Sequence, residues 1–118
     1  LIPADILHSF YTTFPNTILN DAITQNLTTL NLNNLKLEHT PTELSQLPNL
    51  QILNLNYNSL STLSTTFATL TKLIELHLKE NQIRTIPQVL VHCVNLRKLS
   101  LSNNPLTKAH RRIIKGNN

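Results

Sequence analysis

Four leucines recur at a fixed spacing of 23 residues, and this repeat constrains the fold of the chain more than any other feature. They are Leu27, Leu50, Leu73 and Leu96. Alignment on them gives four matching segments, LTTLNLNNLKL, LQILNLNYNSL, LIELHLKENQI and LRKLSLSNNPL. The first, fourth and sixth positions are always leucine, and the eleventh is leucine or isoleucine. Agreement at so many positions in four copies indicates a repeat architecture.

Each segment contains Leu-x-Leu, whose alternation has the period of a half-buried strand. One such strand cannot bury its leucines alone, so the copies are expected to stack into a parallel sheet with a continuous core. The ninth position is Asn58, Asn81 and Asn104 in the last three copies. An amide both donates and accepts hydrogen bonds, so these side chains can satisfy the buried turns. The first copy has Leu35 there, so the asparagine ladder is predicted to begin at Asn58.

The second half of each repeat has apolar residues three positions apart, which favours one or two helical turns on the convex side. Pro41 and Pro87 stand at equivalent positions and suit the start of such a turn. Cys93 falls in the same apolar column as Leu47 and Leu70, so we expect a buried, structural thiol. As the only cysteine, it can form neither an intrachain disulfide nor a cysteine-based zinc site.

The pattern LxxLxLxxNxL resembles the leucine-rich repeat of the intracellular, 23-residue type, over about residues 27–106. The resemblance implies an α/β fold, a right-handed solenoid with a parallel concave sheet. Its repeats would span residues 27–49, 50–72 and 73–95, with a partial repeat at 96–106. The composition, with 16 Asn, 15 Thr and one Gly, is also similar to that of small leucine-rich repeat effectors of intracellular bacterial pathogens. That likeness implies secretion into a host cytoplasm and binding of a host protein.

The segments outside the repeats predict helical caps. In residues 1–26, Ile18, Leu19, Ala22 and Ile23 share one helical face, and a shorter helix is expected between Pro3 and Phe10. Residues 107–118 predict a basic capping helix at the other end of the core. A dimerisation element is the alternative for the N-terminal segment; we favour capping and a monomer.

No pattern points to catalysis, a metal or a cofactor, so we predict a protein that is not an enzyme. The single glycine argues against a phosphate-cradling loop, and the five histidines are scattered. The sequence contains neither paired carboxylates nor a Ser-centred elbow motif. No apolar run approaches the roughly 20 residues that cross a bilayer. The lone cysteine suits a reducing compartment, so we expect an intracellular protein.

The net charge of +4 is concentrated toward the C-terminal end, where residues 72–118 hold nine Lys or Arg and two Glu. Such an end can attract phosphate, nucleic acid or an anionic membrane, and this is the alternative function. With only two Tyr and three Phe, the chain lacks the interleaved aromatic and basic residues that stack on nucleic-acid bases. A solvated charged cap is therefore the simpler interpretation.

The favoured function is binding of a peptide or small protein domain on the concave face, where residues between the strand leucines point. Tyr57 is the only aromatic residue there, and tyrosine is frequent at binding hot spots. Ile52, interpreted as lying beside Tyr57, is apolar where a solvated sheet would be polar. A purely solvating role is the open alternative for each candidate. The candidate partner-binding residues are Ile52, Asn54, Tyr57, Glu75, His77, Lys79, Glu80 and Lys98.

Overall fold

In a computed structural model that describes residues 17–108, the repeats form one parallel four-stranded sheet in the order β1-β2-β3-β4. Equivalent residues pair in register, so Leu53 on β2 lies opposite Leu30 on one side and Leu76 on the other. The strands are β1 (Thr29–Asn31), β2 (Ile52–Asn54), β3 (Glu75–His77) and β4 (Lys98–Ser100). The 23-residue spacing of the leucines is therefore the spacing of adjacent strands.

Short 3₁₀ helices return the chain from each strand to the next, as the apolar spacing of three predicted. They span Thr42–Gln46, Thr65–Thr69 and Gln88–His92. Pro41 and Pro87 are the N-cap residues of the first and third, with extended backbone angles. The buried centres of the first two are Leu44 and Phe67, which join the leucines of the sheet in one core.

The core is a stack of aliphatic layers, one for each repeat. Leu53, Leu55, Leu76 and Leu78 have no solvent exposure, because strands on both sides cover them. Leu99 on β4 is only partly buried, since no further strand covers it within residues 17–108.

A helix runs through residues 17–25 and closes the N-terminal end of the described core. Leu19 and Ala22 are buried, and Ile18 and Ile23 pack against the core, so the apolar face seen in the sequence faces inward. The helix expected between residues 3 and 10, and nearly all of the helix expected over residues 107–118, lie outside the described residues. Within residues 17–108 no helix has the length and hydrophobicity to span a bilayer.

The asparagine ladder begins at Asn58, as predicted. The Oδ1 atom of Asn58 accepts the N–H groups of Leu35 and Leu37, at 3.1 and 3.0 Å. Its Nδ2 atom donates to the carbonyls of Leu32 and Leu55, both at 3.0 Å. One side chain thus satisfies backbone groups of its own repeat and of the preceding one, which removes the penalty of burying these turns.

Asn81 makes the equivalent hydrogen bonds in the next repeat, and Asn104 makes them in the repeat after that. Asn81 is 2% exposed; its Oδ1 accepts Leu60 N–H at 3.0 Å, and its Nδ2 donates to Leu55 O at 2.9 Å and Leu78 O at 3.0 Å. In the first repeat, Thr40 replaces an apolar residue but is buried, and its hydroxyl accepts the N–H of Ser64 at 3.1 Å. Polar contacts therefore join the atypical first repeat to its neighbour.

Candidate functional site

The concave face is organised in rows that cross the strands, because equivalent residues pair in register. Ile52 lies between Thr29 and Glu75, and Glu75 is followed by Lys98 on β4. Within a row, residues on neighbouring strands stand about 4.8 Å apart. The candidates Ile52, Glu75 and Lys98 therefore form one row of the face.

The second row joins Asn54 to His77 and then to Ser100. Asn54, His77 and Ser100 are all half-buried. The first two are candidate residues, and the third lies in line with them on β4. This row consists of the last residue of each of these strands.

Ile52 and Tyr57 lie at opposite ends of β2. Ile52 begins the strand, whereas Tyr57 follows its end. The face has two edges, one where strands begin and one where they end. Tyr57, Lys79 and Glu80 share the second edge, and Ile52 belongs to the first.

A second series of amide contacts, which the sequence analysis missed, fixes the strand ends. Asn33 Oδ1 accepts the N–H of Asn56 at 2.8 Å, and Asn56 Oδ1 accepts the N–H of Lys79 at 2.8 Å. These residues stand 23 positions apart, so the alignment holds the signal that could have identified them. The series holds Lys79 beside the end of β2 and so orients the charged part of the face.

In every repeat, the residue that follows Asn33, Asn56 or the equivalent position has a left-handed backbone conformation. Asn34, Tyr57, Glu80 and Asn103 have φ angles of 60°, 59°, 59° and 59°. Asparagine tolerates this conformation, whereas other side chains with a Cβ atom pay about 1 kcal/mol or more. Tyr57 and Glu80 therefore carry backbone strain that asparagine relieves in the first and last repeats. Such strain is concentrated at functional sites.

Replacing Glu80 by asparagine is expected to raise the free energy of unfolding by about 0.5–1 kcal/mol, because asparagine fits the left-handed backbone better. The loss of the exposed hydrogen bond from Asn103 to the Glu80 carboxylate offsets little of this gain. Urea unfolding curves measure the change. Glu38→Asn, at an exposed position with negative φ, is the matched control and should not stabilise. A less stable Glu80→Asn protein would contradict the strain.

Tyr57 is the prominent apolar side chain of this edge, with 47% of its surface exposed. The Lys79 ammonium lies 5.9 Å from the ring centroid, within the range of a cation–π contact. The left-handed backbone and the lysine together hold the ring in place. A pre-positioned aromatic side chain loses little entropy when a partner covers it.

His77 contacts Glu75, which is another candidate residue, and Ser100, which the sequence analysis did not select. Its Nε2 atom lies 3.1 Å from Glu75 Oε1, and its Nδ1 atom lies 2.9 Å from Ser100 Oγ. The side chains of His77 and Glu75 are 16% and 32% exposed, so the contacts are partly shielded from water. The alignment places His77 and Ser100 at equivalent positions of adjacent repeats, which is the signal that could have identified the pair.

Lys98 and Glu80 complete the candidate set. Lys98 begins β4 and is exposed, on the same face as Ser100. Glu80 is half-buried, and its Oε1 atom accepts a hydrogen bond from Asn103 at 2.7 Å. The site is therefore two clusters, one around His77 on the strands and one around Tyr57 at their ends.

Cys93 is buried, as predicted, and its sulfur contacts the carbonyl of Phe67 at 3.5 Å. Burial raises the pKa of the Cys93 thiol, which disfavours the reactive thiolate. The neighbouring His92 is exposed. Across the described part of the chain, no three or more His, Cys, Asp or Glu side chains converge as metal ligands would.

Two family models match the chain, and both describe the leucine-rich repeat. One matches residues 64–106 and the other residues 49–70. No curated protein sequence matches the chain.

Solved structures show the same architecture. A leucine-rich repeat protein of Leptospira interrogans is 40% identical over 68% of this chain, with a TM-score of 0.64. The leucine-rich repeat domain of APL1B is 21% identical over 91% of this chain, with a TM-score of 0.59, a likeness that concerns the fold alone. The chain spans 20% of the length of the first and 36% of the second.

Proposed function

Because this chain is a leucine-rich repeat protein, of a class that generally mediates protein–protein interaction, we propose that its concave face binds a peptide or small protein domain. The observation that carries the proposal is the exposed, strained Tyr57 held under Lys79 at the strand ends. Strain and exposure both work against stability, and recognition of a partner accounts for both.

The size of the face limits the partner. Four strands about 4.8 Å apart make a surface roughly 15–20 Å wide. With the flanking turns it can offer about 800 Å² to a partner, which is one side of a standard-size interface. A peptide or a single small domain fits this surface and can contact both the cluster around Tyr57 and the cluster around His77.

The double variant Tyr57→Ala, His77→Ala is expected to lose partner capture while its stability changes by no more than about 1 kcal/mol, because both side chains lie outside the core. The matched control is Gln88→Ala, His92→Ala, which removes two exposed side chains on the convex side. Pulldown with the purified proteins at two salt concentrations, read by mass spectrometry, compares them.

Capture that survives in the concave variant and fails in the convex control would contradict the proposal. Capture that is equal in both variants and falls steeply with salt would instead assign function to the basic C-terminal end. Of that end, Arg97, Lys98 and Lys108 are exposed, whereas Arg111, Arg112 and Lys115 lie outside the described residues.

The finer proposal is that the chain acts as an effector of a bacterial pathogen, as a monomer that binds a host protein in the host cytoplasm. The composition rich in Asn and Thr supports it, and so does the likeness to a Leptospira protein. Pulldown from host-cell lysate and from bacterial lysate tests the source of the partner. A specific partner found only in the bacterial lysate would overturn this finer proposal and leave concave binding intact.

A further inference from the structure

In the neutral tautomer that carries its hydrogen on Nε2, His77 donates one hydrogen bond and accepts another. Glu75 is a carboxylate and can only accept, so the Nε2 atom of His77 carries the hydrogen that is shared with Glu75 Oε1. In the neutral imidazole the Nδ1 atom is then a bare acceptor, and the Ser100 hydroxyl donates to it at 2.9 Å. Ser100 Oγ thus faces a base that a carboxylate orients, which is the general arrangement of an activated nucleophile.

The repeat itself does not require this arrangement. At the equivalent positions of the preceding strands stand Asn31 and Asn54, and the sheet pairs there in the same register. The contacts that join Glu75, His77 and Ser100 are therefore specific to β3 and β4, on a half-buried part of the concave face.

We infer that Ser100 is a nucleophilic residue that accepts an acyl or phosphonyl group from an electrophilic ester or fluorophosphonate. In the step, Ser100 Oγ forms a bond to the carbonyl carbon or phosphorus, and the leaving alkoxide or fluoride departs with its electron pair. The hydroxyl proton passes to His77 Nδ1, and Glu75 stabilises the imidazolium.

A biotinylated fluorophosphonate is the probe that tests this inference, with intact-protein and peptide mass spectrometry as the readout. The folded protein is expected to gain one phosphonyl group, located on Ser100. Ser100→Ala should lose it, and Ser102→Ala, which removes a nearby exposed serine, should retain it. Absence of labelling on Ser100, or equal labelling of Ser102, would overturn the inference.

The role of His77 is separated from a structural effect by His77→Gln, which keeps a polar side chain. Labelling should slow at least tenfold, since no base accepts the proton. An unchanged rate in His77→Gln, with circular dichroism confirming its fold, would refute activation of Ser100.

Discussion

Replacing Asn81 by alanine is expected to lower the free energy of unfolding by about 2–4 kcal/mol, because a buried N–H group loses its partner and two buried carbonyls each lose one of theirs. The Leu60 N–H depends on this amide, whereas the carbonyls of Leu55 and Leu78 keep hydrogen bonds from Asn58 and Asn104. These groups belong to two adjacent repeats, so the substitution weakens both the turn and the contact between layers. Chemical denaturation followed by circular dichroism measures the loss.

Asn95→Ala is the matched control for this substitution. Asn95 is exposed, and its Nδ2 atom makes one hydrogen bond, 2.7 Å long, to the carbonyl of Thr71. Water replaces that bond when it is lost, so a change below about 1 kcal/mol is expected. Similar losses in the two variants would mean that the ladder contributes no more than a surface amide.

Leu76→Ala is expected to cost about 2–5 kcal/mol, since it leaves a cavity in the middle of the stacked core. Leu76 has no solvent exposure and lies between Leu53 and Leu99 in the sheet register. Strands on both sides limit the collapse that could fill the cavity, which favours the upper part of the range. Urea unfolding of the variant measures the loss.

Val94→Ala is the control for this experiment, because Val94 is 77% exposed and fills no space in the core. Its change should stay within about 0.5 kcal/mol. A loss below 1 kcal/mol for Leu76→Ala would be incompatible with the burial of that side chain.

The sequence was sufficient for the parts of the fold that depend on periodicity. The leucine spacing predicted the parallel register, the paired apolar positions predicted short helical returns, and Leu35 predicted that the ladder begins at Asn58. Each of these features follows from which residues must be buried, and buried positions recur at regular intervals in the sequence.

The site was less predictable because it depends on backbone angles and side-chain orientation. Neither Tyr57 nor Glu80 is a glycine, so the only sign of their left-handed backbone is the asparagine at the equivalent positions 34 and 103. The contacts of His77 with Glu75 and Ser100 need particular rotamers, which spacing does not specify. A list of candidates also does not show that Ile52 and Tyr57 lie at opposite ends of β2.

The left-handed residue at each strand end has a practical consequence for engineering. The backbone turn is the same whether the position holds Asn34, Tyr57, Glu80 or Asn103. The chain therefore accommodates an amide there, and it tolerates aromatic and acidic groups at a cost of about 1 kcal/mol each. A combinatorial library that varies these four positions alone would alter the chemistry of one rim while the scaffold stays folded.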